Sequence, residues 1–157
     1  MTLVIRLAQE RDIPILQELY SQFTDWNLRR QEVIRKAISE PNCELLVAEY
    51  CQGIIGFAHQ VFVLDIVHAG LCSYVTSIFV KENCRRKGVA SKLLLKALAS
   101  AKEQKVVEVH LDTEERNEQA IKFYESLGFK KVGMTFERNP RRIRIPRSKT
   151  ATKFFPY

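Results

Sequence analysis

Two stretches of this chain hold residue types whose spacing would let them do chemistry. The first is Lys81-Glu82-Asn83-Cys84-Arg85-Arg86-Lys87-Gly88-Val89-Ala90-Ser91, which reads as the end of a strand, a basic turn and the start of a helix. Three cations stand where the helix begins, although a helix N-terminus already carries partial positive charge and disfavours them. An anion bound at the turn removes that conflict, because the free amides, the dipole and the cations would all converge on it. Gly88 would let the backbone approach such a ligand closely. The chemistry implied is phosphate or pyrophosphate binding. A solvated basic loop is the other reading, and the turn alone does not decide between them.

The second stretch is Asn117-x-x-Ala120-x-x-Phe123-Tyr124-x-x-x-Gly128-Phe129. Asn117 and Tyr124 lie two helical turns apart and share one face, with the small Ala120 between them. Asn117 is placed to cap its helix. A phenol with an ordinary pKa of about 10 can protonate a departing thiolate, so Tyr124 is either a general acid or a core aromatic with a satisfied hydroxyl.

Neither stretch acts unless other elements position it. Leu3 to Leu7 predicts an opening strand. Asp12 as N-cap and Pro14 begin a helix with Ile15, Leu16, Leu19, Tyr20 and Phe23 inward. A second helix is expected over about Leu28 to Ser39, with Val33, Ile34, Ala37 and Ile38 inward. Glu44 to Tyr50 and Ile54 to about Leu64 read as a hairpin across Cys51-Gln52-Gly53, with Gly56 marking a bulge. Leu71 to Val80 is a long strand. The helix from about Gly88 to Lys102 buries Ala90, Leu94, Leu98 and Ala101, flanked by Leu93 and Ala97. Val106 to Leu111 suits a mostly buried strand, and a last helix over Asn117 to Leu127 ends at Gly128. A strand from Phe129 to about Phe136 and an edge strand near 142–145 complete the pattern. This order predicts a mixed α/β layer fold, one sheet with helices on both faces, in which the strands flanking the basic turn's helix are parallel.

A chain of 157 residues with 46% hydrophobic content fits one soluble domain. It shows no membrane-length apolar run and no secretion signal, so the expected location is the cytoplasm. Cys43, Cys51, Cys72 and Cys84 form no C-x-x-C pair and are read as reduced thiols, not ligands or bridges. The net charge of +7 sits at one end. Residues 138–157 carry seven cations and no carboxylate; without them the chain's 25 cations fall to 18, equal to its 18 acids. The tail is a solvated extension or, in the alternative reading, a nucleic-acid or ribosome contact. A homodimer is left open.

There is no Walker A loop and no dinucleotide fingerprint. Arg85-x-x-Gly88-x-Ala90 followed, one strand later, by the Asn117–Phe129 pattern resembles the GCN5-related N-acetyltransferase (GNAT) superfamily, with the element order agreeing over residues 3–137. The resemblance implies a mostly antiparallel central sheet with one parallel strand pair, a domain over 1–137 and a basic extension over 138–157. It implies acetyl-CoA as co-substrate, no metal, and transfer to a primary amine by direct attack. Ile78, Phe79 and Val80 would pair with the pantetheine arm and polarise the acetyl carbonyl. Arg85, Arg86, Lys87, Gly88, Val89, Ala90 and Ser91 would hold the pyrophosphate. Asn117 and Tyr124 would contact the coenzyme, with Tyr124 the general acid. Many relatives place a carboxylate on the strand before the first motif, where Val75-Thr76-Ser77 has none; Asp112 is the expected base instead. Asp65, Glu114 and Glu115 compete for that role, His110 is read as structural, and His59 and His68 give no signal. The alternative within the family is a coenzyme-binding module without catalysis.

Overall fold

The computed structural model describes residues 2–24, 30–51 and 53–133. They fall into two compact units, Met1–Glu115 and Arg116–Tyr157. The domain boundary near 137, the edge strand near 142–145 and the basic extension lie outside the described residues; of the strand expected from Phe129 to Phe136, residues 129–133 are described and form no strand.

In the first unit, strands β1 (Val4–Leu7), β2 (Cys43–Tyr50), β3 (Gly53–Asp65), β4 (Gly70–Val80) and β5 (Glu108–Leu111) form one sheet in chain order. The first three pairings are antiparallel; β4 and β5 are parallel, as the crossover through helix α3 (Val89–Glu103) requires. Alternation along the strands sorts two cores. Leu45, Val47, Phe57 and Phe79 pack against helices α1 (Ile13–Phe23) and α2 (Arg30–Ser39), while Leu46, Ala48, Ala58 and Val80 pack against α3.

The α3 face is fastened by a buried polar network. Gln60 is 1% exposed. Its amide nitrogen donates to Glu44 (2.7 Å) and to the Ala97 carbonyl of α3 (3.2 Å), and its oxygen accepts from Ser73 (2.9 Å). Glu44 also accepts from the Ser100 hydroxyl and from Gln104 (3.1 Å). Each of these bonds ties a strand to α3 or to a neighbouring strand, so the helix is held in one register and not merely against one surface.

Two irregularities shape the sheet. The β2–β3 register shifts between Ala48 and Glu49, so the bulge expected at Gly56 falls beside it. Gly56 itself is required by close approach, because a Cβ there would lie 2.6 Å from the Phe79 carbonyl oxygen. The second shift is in β4, where His59 pairs with Ser77 but Gln60 with Val75, leaving Thr76 as the extra residue.

Four expectations in the first unit need correction. Asp12 precedes α1 but makes no side-chain cap on it. Its carboxylate instead accepts both ends of the Arg6 guanidinium (2.7 and 3.0 Å) and the Gln9 N–H (2.7 Å). Burial by itself would raise the Asp12 pKa, yet the Arg6 and Gln9 bonds hold it below the usual carboxylate range. Val33, expected inward, is 63% exposed, since the inward stripe of α2 runs through Ile34. Phe23, also expected inward, is 46% exposed, because it ends α1 and lays only one edge of its ring on Phe57 and Phe79. The strand β5 begins at Glu108, with Val107 56% exposed: Val106 still bonds back to Ala101 of α3, and Val107, a bend, makes its first bond to β4 at the Leu71 carbonyl (2.8 Å).

In the second unit, helix α4 (Glu118–Ser126) begins at Asn117, whose side-chain oxygen accepts the Ala120 N–H at 3.1 Å. It ends at Gly128, whose φ of +89° suits the left-handed turn that follows a helix.

Candidate functional site

The bulge at Thr76 coincides with the point where β4 and β5 part. Their pairing runs from Cys72 opposite Glu108 to Val75 opposite Leu111. Then β5 ends, while β4 continues to Val80 against β3 alone. Ile78, Phe79 and Val80 therefore carry an edge with no strand partner on the β5 side among the described residues. Such an edge offers peptide groups to an extended ligand.

That edge leads into the basic turn. A short 3-10 turn over Glu82–Cys84 is followed by Arg86 at φ +61° and Gly88 at φ +75°, both left-handed. The space that a side chain at Gly88 would enter is open, since a Cβ there would meet no atom within 4 Å. Gly88 is therefore needed for its backbone conformation and leaves room over the helix start. The first amides of the 15-residue α3, those of Val89, Ala90 and Ser91, have no acceptor within the helix by its own geometry. The three cations are not equivalent. Arg85 donates from Nε to the Val80 carbonyl (3.0 Å) and lies over the Phe79 ring at 5.9 Å, so it joins the turn to β4. Lys87 reaches back to the Asn83 carbonyl (3.0 Å).

On the sheet face opposite α3, the bulge opens a cavity that the sequence did not announce. It has a volume of about 330 Å³ and is lined by α1, α2 and the strands, with Tyr20, Thr24, Arg30, His59, Thr76 and Ser77 as its polar residues. His59 Nδ1 lies 2.7 Å from the Thr76 hydroxyl, which itself donates to the His59 carbonyl at 3.3 Å. A hydroxyl whose proton is so used accepts from Nδ1–H, which leaves Nε2 as the basic nitrogen. Nε2 is buried and has no partner among the described residues. Burial lowers the His59 pKa, keeping the ring neutral. Tyr20 contacts Ser77 (3.4 Å), and burial pushes its phenol up to about 12. Arg30 is buried under the Tyr20 ring with Nη2 on the Thr24 carbonyl (3.4 Å), while its Nη1 is also without a partner among the described residues.

Asp112 follows β5 directly and is exposed. It is not among the residues lining this cavity. Its charge reaches Tyr74, whose phenol is raised by burial first and then by Asp65, Cys72, Asp112 and Glu108. In the second unit, the Tyr124 ring is half-buried beside Phe123 (5.3 Å) and Phe129 (6.2 Å). Burial raises its pKa, so the phenol keeps its proton at neutral pH. His59, Arg30, Tyr20 and Ser77 were missed by sequence reasoning. The one signal the sequence held was strand parity, which puts His59 on the same face as Phe57, two residues before it.

Comparison with known proteins supplies the class and then the family. The fold matches that of an aminoglycoside N-acetyltransferase, AAC(6')-Iy, solved in complex with CoA. The TM-score is 0.81 at 19% identity, with 89% of this chain and 95% of that one covered. At that identity the likeness is one of fold. In sequence, the chain is 29% identical over 119 residues to N-acetyltransferase 8 of Homo sapiens, covering 74% of this chain and 52% of that protein. It is 41% identical over 56 residues to N-alpha-acetyltransferase 30 of Xenopus laevis, covering 36% of this chain and 20% of that protein. The chain thus spans about half the length of the first relative and a fifth of the second. A model of the acetyltransferase (GNAT) family matches residues 12–129, and the chain belongs to that family. No helix among the described residues is long and apolar enough to cross a membrane.

Proposed function

We propose that this chain transfers acetyl from acetyl-CoA to a primary amine by direct attack. The observation that carries the reading is the continuity, within one unit, of an unpaired β4 edge with the open, cation-flanked start of α3. In this reading the pantetheine arm pairs along Ile78–Val80 and a β4 amide polarises the acetyl carbonyl. Arg86, Lys87, Gly88, Val89, Ala90 and Ser91 hold the pyrophosphate, while Arg85 braces the turn through Val80.

The amine enters the cavity beside the bulge. An aliphatic ammonium must lose a proton before it attacks, and a neutral imidazole with a free basic nitrogen can take it. His59 Nε2 meets both conditions, which favours it over Asp112 as the base. The Nη1 of Arg30, without a partner among the described residues, favours an acceptor with an oxygen group, a carboxylate foremost, near its amine. Tyr124 is kept as the general acid for the coenzyme thiolate, on its place in the Asn117–Phe129 motif and the raised pKa that keeps it protonated.

Two variants test the donor half. Gly88→Glu puts a carboxylate over the helix start and is expected to weaken acetyl-CoA binding about 100-fold, roughly 3 kcal/mol, in a chain that still unfolds cooperatively. Unchanged affinity by calorimetry would sink the pyrophosphate assignment. Tyr124→Phe is expected to lower turnover about 100-fold while coenzyme affinity changes little. Equal turnover, measured as thiol release with a panel of amines, returns Tyr124 to a packing role. Thiol release by no amine in the panel, together with tight coenzyme binding, would instead support the non-catalytic module.

A further inference from the structure

At the other end of β4, three side chains with metal-binding atoms converge from three places in the chain. His68 sits in the turn between β3 and β4, Cys72 near the start of β4, and His110 in β5. One ligating atom from each lies within 4.8 Å of the other two. Register explains the meeting. Cys72 pairs with Glu108 and Tyr74 with His110, so these four share one face. Ser73, between them, points to Gln60 on the α3 side, which puts Cys72 and His110 on the opposite face.

Two further observations point to a ligand. His110 Nε2 is buried without a partner among the described residues, a state that costs free energy unless something fills it. His68 has a carboxylate at each ring nitrogen: Asp65 at 3.0 Å from Nδ1 and Glu108 at 3.1 Å from Nε2. Two ligands about 2.0 Å from one tetrahedral ion stand roughly 3.3 Å apart, so the His68–Glu108 separation is close to what a shared ion would set. Asp65 on the remaining nitrogen then has the position of the carboxylate that orients a metal-bound imidazole.

We propose that His68, Cys72 and His110 bind one zinc ion, with Glu108, 3.1 Å from His68 Nε2, the nearest carboxylate for the fourth position and Asp65 orienting His68. Two imidazoles, a thiolate and a carboxylate suit zinc and are poor partners for magnesium or calcium, which take oxygen ligands. Binding releases the Cys72 thiol proton and any proton shared between His68 and Glu108 to solvent. Glu108 stands outside the cluster of three and turns in to close the coordination sphere, which makes the ion structural and fastens the turn at 66–69 to β5. The site departs from the expectation that this chain uses no metal and that its cysteines are not ligands.

The test titrates the full chain, stripped with a chelator, with cobalt(II) and then zinc. Expected are one equivalent of cobalt, the intense visible bands of a tetrahedral site, and a near-ultraviolet thiolate-to-cobalt band. Zinc is expected to displace the cobalt and raise Tm. Cys72→Ser removes the thiolate band, whereas serine at Cys43, Cys51 or Cys84 leaves it. Absence of stoichiometric binding, or a thiolate band that survives Cys72→Ser, overturns the proposal. Because Cys72 is fully buried, His68→Gln in the exposed turn is the second variant. It is expected to weaken cobalt binding at least about tenfold. A folded His68→Gln chain with wild-type affinity and spectrum overturns the site by itself.

Discussion

His59 and Gln60 are consecutive residues of β3 and face opposite ways, and their surroundings differ in a single respect. Gln60 donates twice and accepts once within a network that joins β2, β3, β4 and α3. His59 bonds through Nδ1 and leaves a buried Nε2 without a partner among the described residues. A buried polar group is costly unless satisfied, so the two faces are built to different ends. The α3 face is finished as it stands. The opposite face leaves Arg30 Nη1 as well as His59 Nε2 without a partner among the described residues, which is where the proposed acceptor would bind. The Thr76 bulge lies between them, since without the extra residue Ser77 would share a face with Val75 and not with His59.

Exchanging the two residues' roles by mutation breaks the comparison most directly. His59→Gln is expected to lower kcat/KM by about 100- to 10,000-fold, the range of a lost general base, with stability changed by less than about 1 kcal/mol. If acetyl transfer to the best amine survives within a factor of a few while Asp112→Asn abolishes it, the base is Asp112 and the open face serves binding only. Gln60→Leu should do the converse. It leaves the buried Ser73 hydroxyl without its acceptor and takes one donor each from Glu44, which keeps Ser100 and Gln104, and from the Ala97 carbonyl; the expected cost is about 3 kcal/mol in urea unfolding. The catalytic constants of the folded fraction should stay near wild type. A stable Gln60→Leu chain would mean that α3 is held by its apolar stripe and that the network adds little.

Those outcomes also measure how much of the molecule could be read in advance. The helices were legible because Leu16, Leu19, Leu93, Leu94 and Ala97 repeat at helical spacing and are buried as that spacing requires. Gly128 and Asn117 were legible because each has a local task, a left-handed turn and an N-cap, that neighbouring residues do not alter. The turn at Gly88 was readable for the same reason: its left-handed backbone and the helix behind it are contiguous in sequence. The cavity on the opposite face was not. Tyr20, Arg30, His59 and Ser77 come from separate elements, and a one-residue bulge decides which of them meet. Strand parity is blind to a bulge until both strands are aligned. Asp12 failed similarly, since its cap position was right while its partner, Arg6, was set by the β1–α1 turn.

The smallest expected effect is on stability and tests whether the open face is neutral when empty. The unfolded His59 binds a proton near pH 6.5, while the folded ring resists one because burial lowers its pKa. Below pH 6.5 the unfolded state therefore holds more protons at this residue. Stability rises with pH there and is lost on acidification, by at most about 1.4 kcal/mol per pH unit from this group. Above pH 6.5 the contribution is full and flat. Urea unfolding of wild type and His59→Gln between pH 5 and 7.5 isolates the effect, since every other titrating group is common to both chains. The difference in stability should move in favour of the variant as pH falls. Parallel curves would mean that His59 takes its proton as easily folded as unfolded, and a ring that charges freely is not the neutral base proposed for acetyl transfer.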